Sequence, residues 1–397
     1  MNLKGCGILE STFALYDQNA YQDCFSAKVL SCVQDTDNEH FHVILDQTCF
    51  FPEQGGQSAD TGRINDDVNV LDVQIKNGII DHLTDRPVEV GSVVSGKIDF
   101  TRRFDLMQHH TGEHIFSGLV NKTYGYHNVG FHLSDRTVSM DYDGFLTMDQ
   151  VRAIEWEANQ VIWKNLPVEI SWPNKEELDL ISYRSKKEIS GRLRLVTIPG
   201  VDVCACCAPH VKRAGEIGQL MVASAARYKG GTRLHILCGG RALKAARQDA
   251  DYLSEAGQLL YCSKENLAPQ IRAMIYRENE LVRMLEESKA EELKKMVDGV
   301  PLEKKNVILS AGQINEKTSS EAADRLSQLH SGVCGVLFAD GLKQRVVLVS
   351  RMIPLRAVAQ ALRQSTGFKG GGDDGCIRGM IDLDAEQLEK WLDQYTV

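Results

Sequence analysis

Short runs of apolar and polar residues alternate over the first ninety residues. Residues 41–51 (FHVILDQTCFF) and 68–83 (VNVLDVQIKNGIIDHL) are rich in β-branched and aromatic side chains, and turn-forming segments such as EQGGQSADTG follow them. A spacing of two is typical of strands with one buried face. The pattern therefore predicts a small antiparallel β-barrel or a curved sheet at the start of the chain.

The spacing then changes to three and four, which predicts a helix over residues 103–124. The apolar and histidine positions that repeat there are Phe104, Met107, His110, His114 and Leu119. A second helix is predicted over 148–165, where Leu166-Pro167 stops it. Strand-like segments, RLRLVTIP and RLHILCGG, follow. The middle of the chain is therefore predicted to be α+β.

A long helical segment separates this region from the C-terminal part. Between Gly240 and Val297 the apolar positions recur at three, four and seven, and Pro269 opens the second of two predicted helices. This pattern indicates a helical hairpin or arm, which would serve as a spacer or dimer seam or simply pack as helices. After Val300-Pro301 strands and helices alternate, and the segment FKGGGDDGCIRGM is predicted to be a loop. We expect an α/β domain here.

Composition narrows the class of protein. The chain has 397 residues, of which 43% are hydrophobic and 25% charged, as in ordinary globular proteins. This length suggests two to four domains. There is no run of about 18 apolar residues and no signal-peptide pattern, so we expect a cytoplasmic protein. The net charge of −9 argues against nonspecific coating of nucleic acid.

Two short motifs about ninety residues apart carry the strongest chemical signal. His110 and His114 are four residues apart on the predicted helix, so both side chains reach one face and one metal ion. Cys206 and His210 lie in a compact Cys-Cys-Ala-Pro-His segment. Three imidazoles and one thiolate are ligands that zinc takes in tetrahedral geometry. Cys206 is the preferred thiolate, but the spacing alone leaves Cys207 and Cys204 open.

The motif HTGEH also matches the H-x-x-E-H pattern of inverted zinc peptidases, in which Glu113 would activate water. That reading needs a distant acidic ligand, for which Glu188 is a candidate. It leaves the segment with Cys206 and His210 unexplained.

A basic segment surrounds the cysteine motif. From Tyr183 to Arg247 there are thirteen Lys or Arg residues and three acidic ones, a net charge of +10. A short charged run is often only a solvated face. Such an imbalance around a metal motif favours contact with phosphates. The residues we select from this segment as candidate contacts to nucleic-acid phosphates are Lys212, Arg227, Lys229 and Arg233.

With these motifs in place, the sequence resembles the AlaX family, free-standing relatives of the alanyl-tRNA synthetase editing domain. The family's paired signature is HxxxH followed by CxxxH. The other segments that resemble it are Thr48–Gln57, Asp60–Gly62, Arg102-Arg103, Asn128–Leu133, Val211–Gly218 and, in a synthetase-like C-terminal domain, Lys369–Gly372. The usual Cys-Gly-Gly-Thr-His is replaced by Cys-Cys-Ala-Pro-His, whose proline resembles the editing domain of threonyl-tRNA synthetase.

The resemblance implies a long-form member with an α+β fold in four parts. These are a β-barrel with a glycine motif (1–92), a zinc-dependent editing domain (93–240), a helical or coiled-coil arm (241–299) and an α/β C-terminal domain (300–397). No aminoacylation core precedes the barrel, so the implied activity is editing in trans. We expect hydrolysis of the aminoacyl ester of tRNA(Ala) mischarged chiefly with serine and also with glycine, with one zinc ion per chain.

Further site residues follow from this expectation. Glu113 is a candidate to position the attacking water, and it is left open whether the metal acts on water or only orients the amino acid. Gly55 and Gly56 would let backbone approach the substrate, and Thr48, Gln57 and Asn128 are candidate donors to the serine hydroxyl. Arg102, Arg103 and Lys369 are expected to contact tRNA. The alternatives are a zinc peptidase or a noncatalytic tRNA-binding protein, and a homodimer through the arm or C-terminal domain is an option.

Overall fold

The computed structural model describes residues 11–36, 39–185, 193–341 and 343–395. The chain divides into two compact units, residues 1–252 and 253–397. Glu188, the candidate acidic ligand of the peptidase alternative, lies outside the described residues. No helix within the described ranges is long and apolar enough to cross a membrane.

The first unit begins with a closed six-stranded barrel, in the order β2-β3-β7-β6-β5-β8. Its neighbouring strands are antiparallel, and inward and outward side chains alternate: Val94 and Ile98 of β8 are buried, as the period of two predicts. The elements of this part are β1 (Phe13–Ala14), α1 (Leu15–Gln18), β2 (Cys24–Gln34), β3 (Phe41–Leu45), β4 (Gln47–Thr48), β5 (Gly62–Ile64), β6 (Val68–Lys76), β7 (Ile79–Thr84) and β8 (Val93–Ile98).

The rest of the first unit is α+β and packs around one central helix. A four-stranded sheet (β14-β15-β10-β9) and a three-stranded sheet (β11-β12-β13) accompany it. The elements are α2 (Phe100–Tyr124), β9 (Asn128–Leu133), β10 (Val138–Tyr142), α3 (Met148–Trp163), β11 (Glu169–Ser171), α4 (Lys175–Leu178), β12 (Leu195–Ile198), β13 (Asp202–Ala205), a 3-10 turn (Ala214–Ile217), β14 (Leu220–Tyr228), β15 (Gly231–Cys238) and α5 (Gly239–Leu259).

Helix α2 organises this core. The Asp99 carboxylate accepts a hydrogen bond from the Arg102 N–H at 3.1 Å and caps the first turn, and Gly125, with φ of 73°, ends the helix in the left-handed conformation. Leu106, Met107 and Phe116 are completely buried. Helix α3 and strands β9, β13 and β15 pack against α2, so this helix lies at the centre of the α+β part.

The second unit contains one long helix and an α/β domain. The sheet order is β16-β17-β18-β20-β19, with β16 and β17 parallel and connected through helix α7. Its elements are a 3-10 turn (Lys264–Asn266), α6 (Leu267–Asp298), β16 (Val307–Gln313), α7 (Glu316–Leu329), β17 (Cys334–Asp340), β18 (Lys343–Val349), α8 (Leu355–Thr366), β19 (Lys369–Gly372), β20 (Cys376–Met380) and α9 (Ala385–Tyr395).

The glycine-rich segment near the C-terminus corrects one prediction. Lys369–Gly372 forms the edge strand β19, paired with β20, although the sequence analysis predicts a loop. A Cβ at Gly370 would overlap the Arg378 carbonyl oxygen of the neighbouring strand. Glycine is therefore needed here for close approach of two strands.

Candidate metal and substrate site

Helix α2 presents His110 and His114 on one face, one turn apart. Each histidine has about 2% of its surface exposed, and the ring centroids are 5.5 Å apart. The third ring, that of His210, lies 4.8 Å from His110 and 4.7 Å from His114. Two histidines from a helix and one from a distant loop therefore meet in a buried cluster.

Cys206 completes this cluster from the loop that follows β13. Its Sγ lies 3.5 Å from His110 Nε2 and 3.4 Å from His210 Nε2. The Arg194 guanidinium supports the loop by donating hydrogen bonds to the carbonyl oxygens of Cys206 (2.7 Å) and Ala208 (2.9 Å). Ligand atoms of the four residues all lie within 4.8 Å of one another. The four residues offer a compact donor set.

The other nitrogen of each ring is held by a polar side chain. The pairs are His110 Nδ1 with Gln57 Oε1 at 2.7 Å, His114 Nδ1 with Asp202 Oδ2 at 3.0 Å, and His210 Nδ1 with Thr111 Oγ1 at 3.1 Å. Thr111 donates its own proton to the Met107 carbonyl at 2.8 Å, so it accepts from His210. With Nδ1 donating to these partners, Nε2 is the atom that each neutral ring would offer to a metal.

Electrostatics also suit a metal site. Burial raises the pKa of the Cys206 thiol, but His110 and His210 outweigh burial and hold that pKa well below its usual range. Burial lowers the pKa of His210 to about 3, which keeps this ring neutral. Burial lowers the pKa of His114, but the neighbouring Cys204, Asp202 and Cys206 outweigh burial and hold that pKa well above its usual range. Because metals bind a thiolate and neutral imidazoles, His114 has to release a proton when a metal binds. In the part of the chain that the structure describes, this four-residue group is compatible with a bound metal ion.

Two residues that the sequence did not point to, Asp202 and Arg184, support the cluster through His114. Arg184 donates two hydrogen bonds to the Asp202 carboxylate, at 2.7 and 2.8 Å. Burial raises the pKa of Asp202, but hydrogen bonds from His114 and Arg184 outweigh it and lower that pKa. The ionised Asp202 therefore orients His114. A single aspartate outside any spacing motif gives no signal in the sequence.

Glu113 lies within the core beside the ligands. It is 1% exposed, and its Oε2 is 3.8 Å from His114 Nε2. Its Oε1 accepts hydrogen bonds from Ser117 Oγ at 2.7 Å and from Asn128 Nδ2 at 2.6 Å. The carboxylate is thus neither exposed nor at a helix cap, and one oxygen is turned toward the cluster.

The predicted substrate-binding residues differ in where they lie relative to the cluster. Gln57 touches His110, and a Cβ at Gly55 would lie 3.6 Å from Cys207 Sγ, so the glycine motif borders the cysteine loop. Gly56 has φ of 85°, and a Cβ there would overlap the Phe131 carbonyl oxygen. Both glycines therefore shape the loop.

Thr48 and Asn128 are engaged elsewhere. The Thr48 hydroxyl is buried in the barrel, where it meets His82 Nε2 at 2.9 Å. Because His82 Nδ1 donates to the Val43 carbonyl at 3.0 Å, Nε2 accepts the Thr48 proton. The Asn128 amide donates to Glu113. Neither side chain directs a spare donor toward the ligand cluster.

A cavity of about 700 Å³ lies next to side chains that support the cluster, although none of the four cluster residues lines it. Two residues of the networks just described, Asn128 and Asp202, form part of its wall. The remaining lining residues are Gly118, Asn121, Lys122, His127, Ser182, Tyr183, Arg184, Ser185, Gly200, Val201 and Val203. The volume is in the range of small-ligand sites, and Lys122 and Arg184 bring positive charge to it.

One expected tRNA contact needs correction. Arg103 is completely buried and forms an ion pair with Asp60, so its guanidinium is not available to a phosphate. The neighbouring Arg102 binds Asp135 with two hydrogen bonds, at 2.7 and 3.0 Å. Both arginines therefore connect helix α2 to its surroundings.

The other basic residues differ in exposure. Arg233 binds Asp141 at 2.6 and 2.7 Å and stacks over the Tyr228 ring. Four expected contacts are exposed on the surface, namely Lys212, Arg227, Lys229 and Lys369. These four offer charge to a polyanion.

Family models match two segments of the chain. Residues 10–102 match "tRNA synthetases class II (A)", and residues 193–235 match "Threonyl and Alanyl tRNA synthetase second additional domain". The second segment contains Cys206 and His210, and the first contains the glycine motif with Gln57. The matches therefore coincide with two of the chain segments that form the cluster.

Curated relatives fall into two groups. The chain is 34% identical over 275 residues to the alanine–tRNA ligase of Ignicoccus hospitalis, covering 66% of this chain but about 30% of the ligase. It is 31% identical to the alanyl-tRNA editing protein Aarsd1 of Mus musculus, covering 59% of this chain and 58% of that protein. It is 28% identical to the alanyl-tRNA editing protein AlaX-L of Pyrococcus horikoshii, covering 94% of this chain and 96% of AlaX-L.

The ligases thus match only in part, whereas AlaX-L matches nearly end to end. The glycine motif, the HxxxH helix and the CxxxH loop follow one another along the chain, and they meet in one site. In its motifs and over nearly its whole length, this chain therefore resembles the long-form alanyl-tRNA editing protein AlaX-L.

Proposed function

We propose that the protein is a trans-editing hydrolase that removes serine, and also glycine, from mischarged tRNA(Ala). The observation that carries this proposal is the buried group of three imidazole nitrogens and one thiolate beside the Glu113 carboxylate. AlaX-L and Aarsd1 are alanyl-tRNA editing proteins, and the similarity of this chain to them supports the same activity here.

The metal in this proposal is one zinc ion per chain, held by His110, His114, Cys206 and His210. Soft thiolate and imidazole donors suit zinc. When bound, zinc supplies positive charge that polarises an ester carbonyl. Gln57, Asp202 and Thr111 fix the three rings so that their Nε2 atoms face the same point.

Glu113 is the candidate catalytic residue of the chain itself. Its Oε2 is directed to the ligand side of the site, where it would accept a hydrogen bond from the attacking water and orient it. Burial among Ser117 and Asn128 restricts the carboxylate to one orientation. A carboxylate held in this way removes part of the entropic cost of aligning water with the ester.

Selectivity for serine requires a polar partner for its hydroxyl. A synthetase pocket built for alanine cannot strongly reject a substrate with one extra hydroxyl, so a second site is needed. Of the three predicted donors, Gln57 keeps a buried Nε2 that has no hydrogen-bond partner among the described residues. We assign Gln57 Nε2 to the serine side chain, with Thr48 and Asn128 engaged elsewhere.

The proposed partner surface for tRNA is the exposed basic part of the first unit. Replacing Arg227 and Lys229 by glutamate should weaken tRNA binding and flatten its salt dependence, because fewer counterions are released. Lys175→Glu, an exposed change outside the basic segment, serves as the control. Equal binding by the double variant and the control in filter binding would contradict this surface.

Other parts of the proposal concern organisation and location. We propose the four segments 1–92, 93–240, 241–299 and 300–397 as domains, and the cytoplasm as the site of action. Helix α6 exposes the apolar residues Ile271, Met274, Leu281 and Leu285, each about half accessible. Such a face suits the proposed homodimer through the arm. Static light scattering of the full chain tests this proposal, and a dimer would give twice the mass of one chain.

The decisive experiment combines metal content with deacylation of Ser-tRNA(Ala). Wild type should contain one zinc per chain and deacylate Ser-tRNA(Ala) much faster than Ala-tRNA(Ala). Cys206→Ala should lose zinc and activity, whereas Cys207→Ala should keep zinc, because the Cys207 thiol packs toward the barrel and Gly55.

The alternatives give different results in the same experiment. A zinc peptidase would keep its metal after Cys206→Ala and cleave peptides, and a noncatalytic tRNA-binding protein would bind tRNA without deacylating it. Equal rates on the seryl and alanyl substrates, or no hydrolysis of either, would reject the editing proposal.

A further inference from the structure

Three elements converge on the side of Glu113 that faces away from the metal ligands. Ser117 comes from helix α2, Asn128 from β9 and Tyr142 from β10. All three are nearly inaccessible, with 1%, 5% and 2% of their surfaces exposed. Polar groups that are this deeply buried generally form hydrogen bonds with one another.

The hydrogen bonds among them run in one direction. Ser117 has a single hydroxyl proton, and it donates this proton to Glu113 Oε1 at 2.7 Å. The oxygen of Ser117 is then left to accept from the Tyr142 hydroxyl at 2.8 Å and from Asn128 Nδ2 at 3.3 Å. Asn128 Nδ2 also donates to Glu113 Oε1 at 2.6 Å. Ser117 and Asn128 thus donate directly to one carboxylate oxygen, and Tyr142 contacts that oxygen only through Ser117.

The backbone locks this arrangement further. Asn128 Oδ1 accepts a hydrogen bond from the Gly130 N–H at 3.2 Å, which sets which end of the amide faces Glu113. With Oε1 held by two donors, the carboxylate plane is fixed, and Oε2 stays 3.8 Å from His114 Nε2. Rotation of Glu113 would leave Ser117 and Asn128 with unpaired buried donors, which is unfavourable.

We infer that Ser117, Asn128 and Tyr142 are positioning residues that hold Glu113 with one oxygen turned toward the metal ligands. None of the hydrogen bonds described for these three residues reaches a ligand nitrogen or the thiolate. They therefore act through Glu113. This inference rests on the proposed function for its kinetic consequence. Asn128 thereby changes from a candidate substrate donor to a support for the catalytic carboxylate.

The test uses full-length Ser117→Ala and Tyr142→Phe, with Tyr16→Phe as a control. Tyr16 lies on helix α1, packs into the hydrophobic core of the barrel and is 6% exposed. We expect kcat for Ser-tRNA(Ala) hydrolysis to fall about 10-fold or more in both network variants, as for other supporting residues of metal sites. KM, zinc content and the control should stay at wild-type values.

A double-mutant cycle separates positioning from simple structural support. In a Glu113→Ala background, Ser117→Ala should change kcat by less than about 3-fold, because its effect passes through the missing carboxylate. If Ser117→Ala lowers kcat by the same factor with and without Glu113, or lowers zinc content, the inference is overturned.

A second measurement does not depend on activity. Cobalt(II) loaded in place of zinc should show shifted visible absorption bands in Ser117→Ala and Tyr142→Phe, because the carboxylate charge beside His114 is no longer fixed. The bands of Tyr16→Phe should match wild type. If wild type fails to hydrolyse Ser-tRNA(Ala), the proposed function is rejected, while shifted cobalt bands would still uphold the positioning role. Unshifted bands would overturn that role whatever the activity.

Discussion

Loss of the buried ion pair between Arg103 and Asp60 is expected to destabilise the first unit severely. Arg103 is completely buried and Asp60 is 1% exposed. The guanidinium also donates to the carbonyl oxygens of Ala20 at 3.0 Å and Cys49 at 2.6 Å. Arg103→Met removes all of these bonds and leaves a carboxylate without its partner in the core.

The magnitude follows from that unpaired charge. Removing one partner of a buried pair costs about 3–5 kcal/mol, against a total stability of about 5–15 kcal/mol for a typical protein. Asp60→Asn in the same chain removes the charge, while its side-chain oxygen still accepts from the Phe51 N–H. The double variant should therefore lose about 2 kcal/mol less free energy of unfolding than the two single variants lose together.

Urea unfolding followed by circular dichroism measures these differences. The matched control is Arg102→Met, because Arg102 pairs with Asp135, whose side chain is 57% exposed. A partly exposed pair contributes about 1 kcal/mol or less. If Arg103→Met and Arg102→Met cost the same, or if the single losses simply add in the double variant, the argument from burial is refuted.

Three further predictions use the barrel and the ligand supports. Burial lowers the pKa of His82 from its usual value near 6.5 to about 4. The contribution of His82 to the free energy of unfolding is therefore complete above pH 6.5, and about 3 kcal/mol of it is lost as the pH falls to 4. The stability of His82→Asn should lack this part of the pH dependence, and a profile identical to that of wild type would contradict the prediction. Gly56→Ala should cost about 3 kcal/mol and Gly91→Ala only about 1, since both have positive φ but only Gly56 meets a neighbouring carbonyl; equal melting temperatures would argue against this difference. Asp202→Ala should weaken zinc binding about 10–100-fold in competition with a chelator, and unchanged affinity would show that His114 needs no such partner.

Much of the fold is legible in the sequence because local pattern dominates there. The predicted helix 103–124 is observed as Phe100–Tyr124, and the predicted helix 148–165 as Met148–Trp163. The early start of α2 comes from the Asp99 cap, which precedes the apolar repeat. The failure at Lys369–Gly372 has the opposite cause, since a glycine strand has no side-chain pattern and is defined by its partner β20.

The site shows the same division. Residues in spaced motifs, such as His110 and His114, were identifiable because spacing on a helix implies a shared face. Gln57 was selected as a donor, yet its Oε1 accepts from His110, a role that only the tertiary fold reveals. Asp202 carries no local pattern at all. Arg103 looks like any surface arginine in sequence, and its burial depends on Asp60, forty-three residues away.

The barrel and helix α2 cannot be separated without a large loss of stability. A cut near residue 92 would remove Asp60 and Gln57 while leaving Arg103 and His110 behind. The excised fragment would expose a guanidinium made for a dry interior and free one ligand ring to rotate. A minimal editing module cloned without its barrel should therefore aggregate or lose its metal, and genetic recombination that preserves the activity would have to carry both parts together.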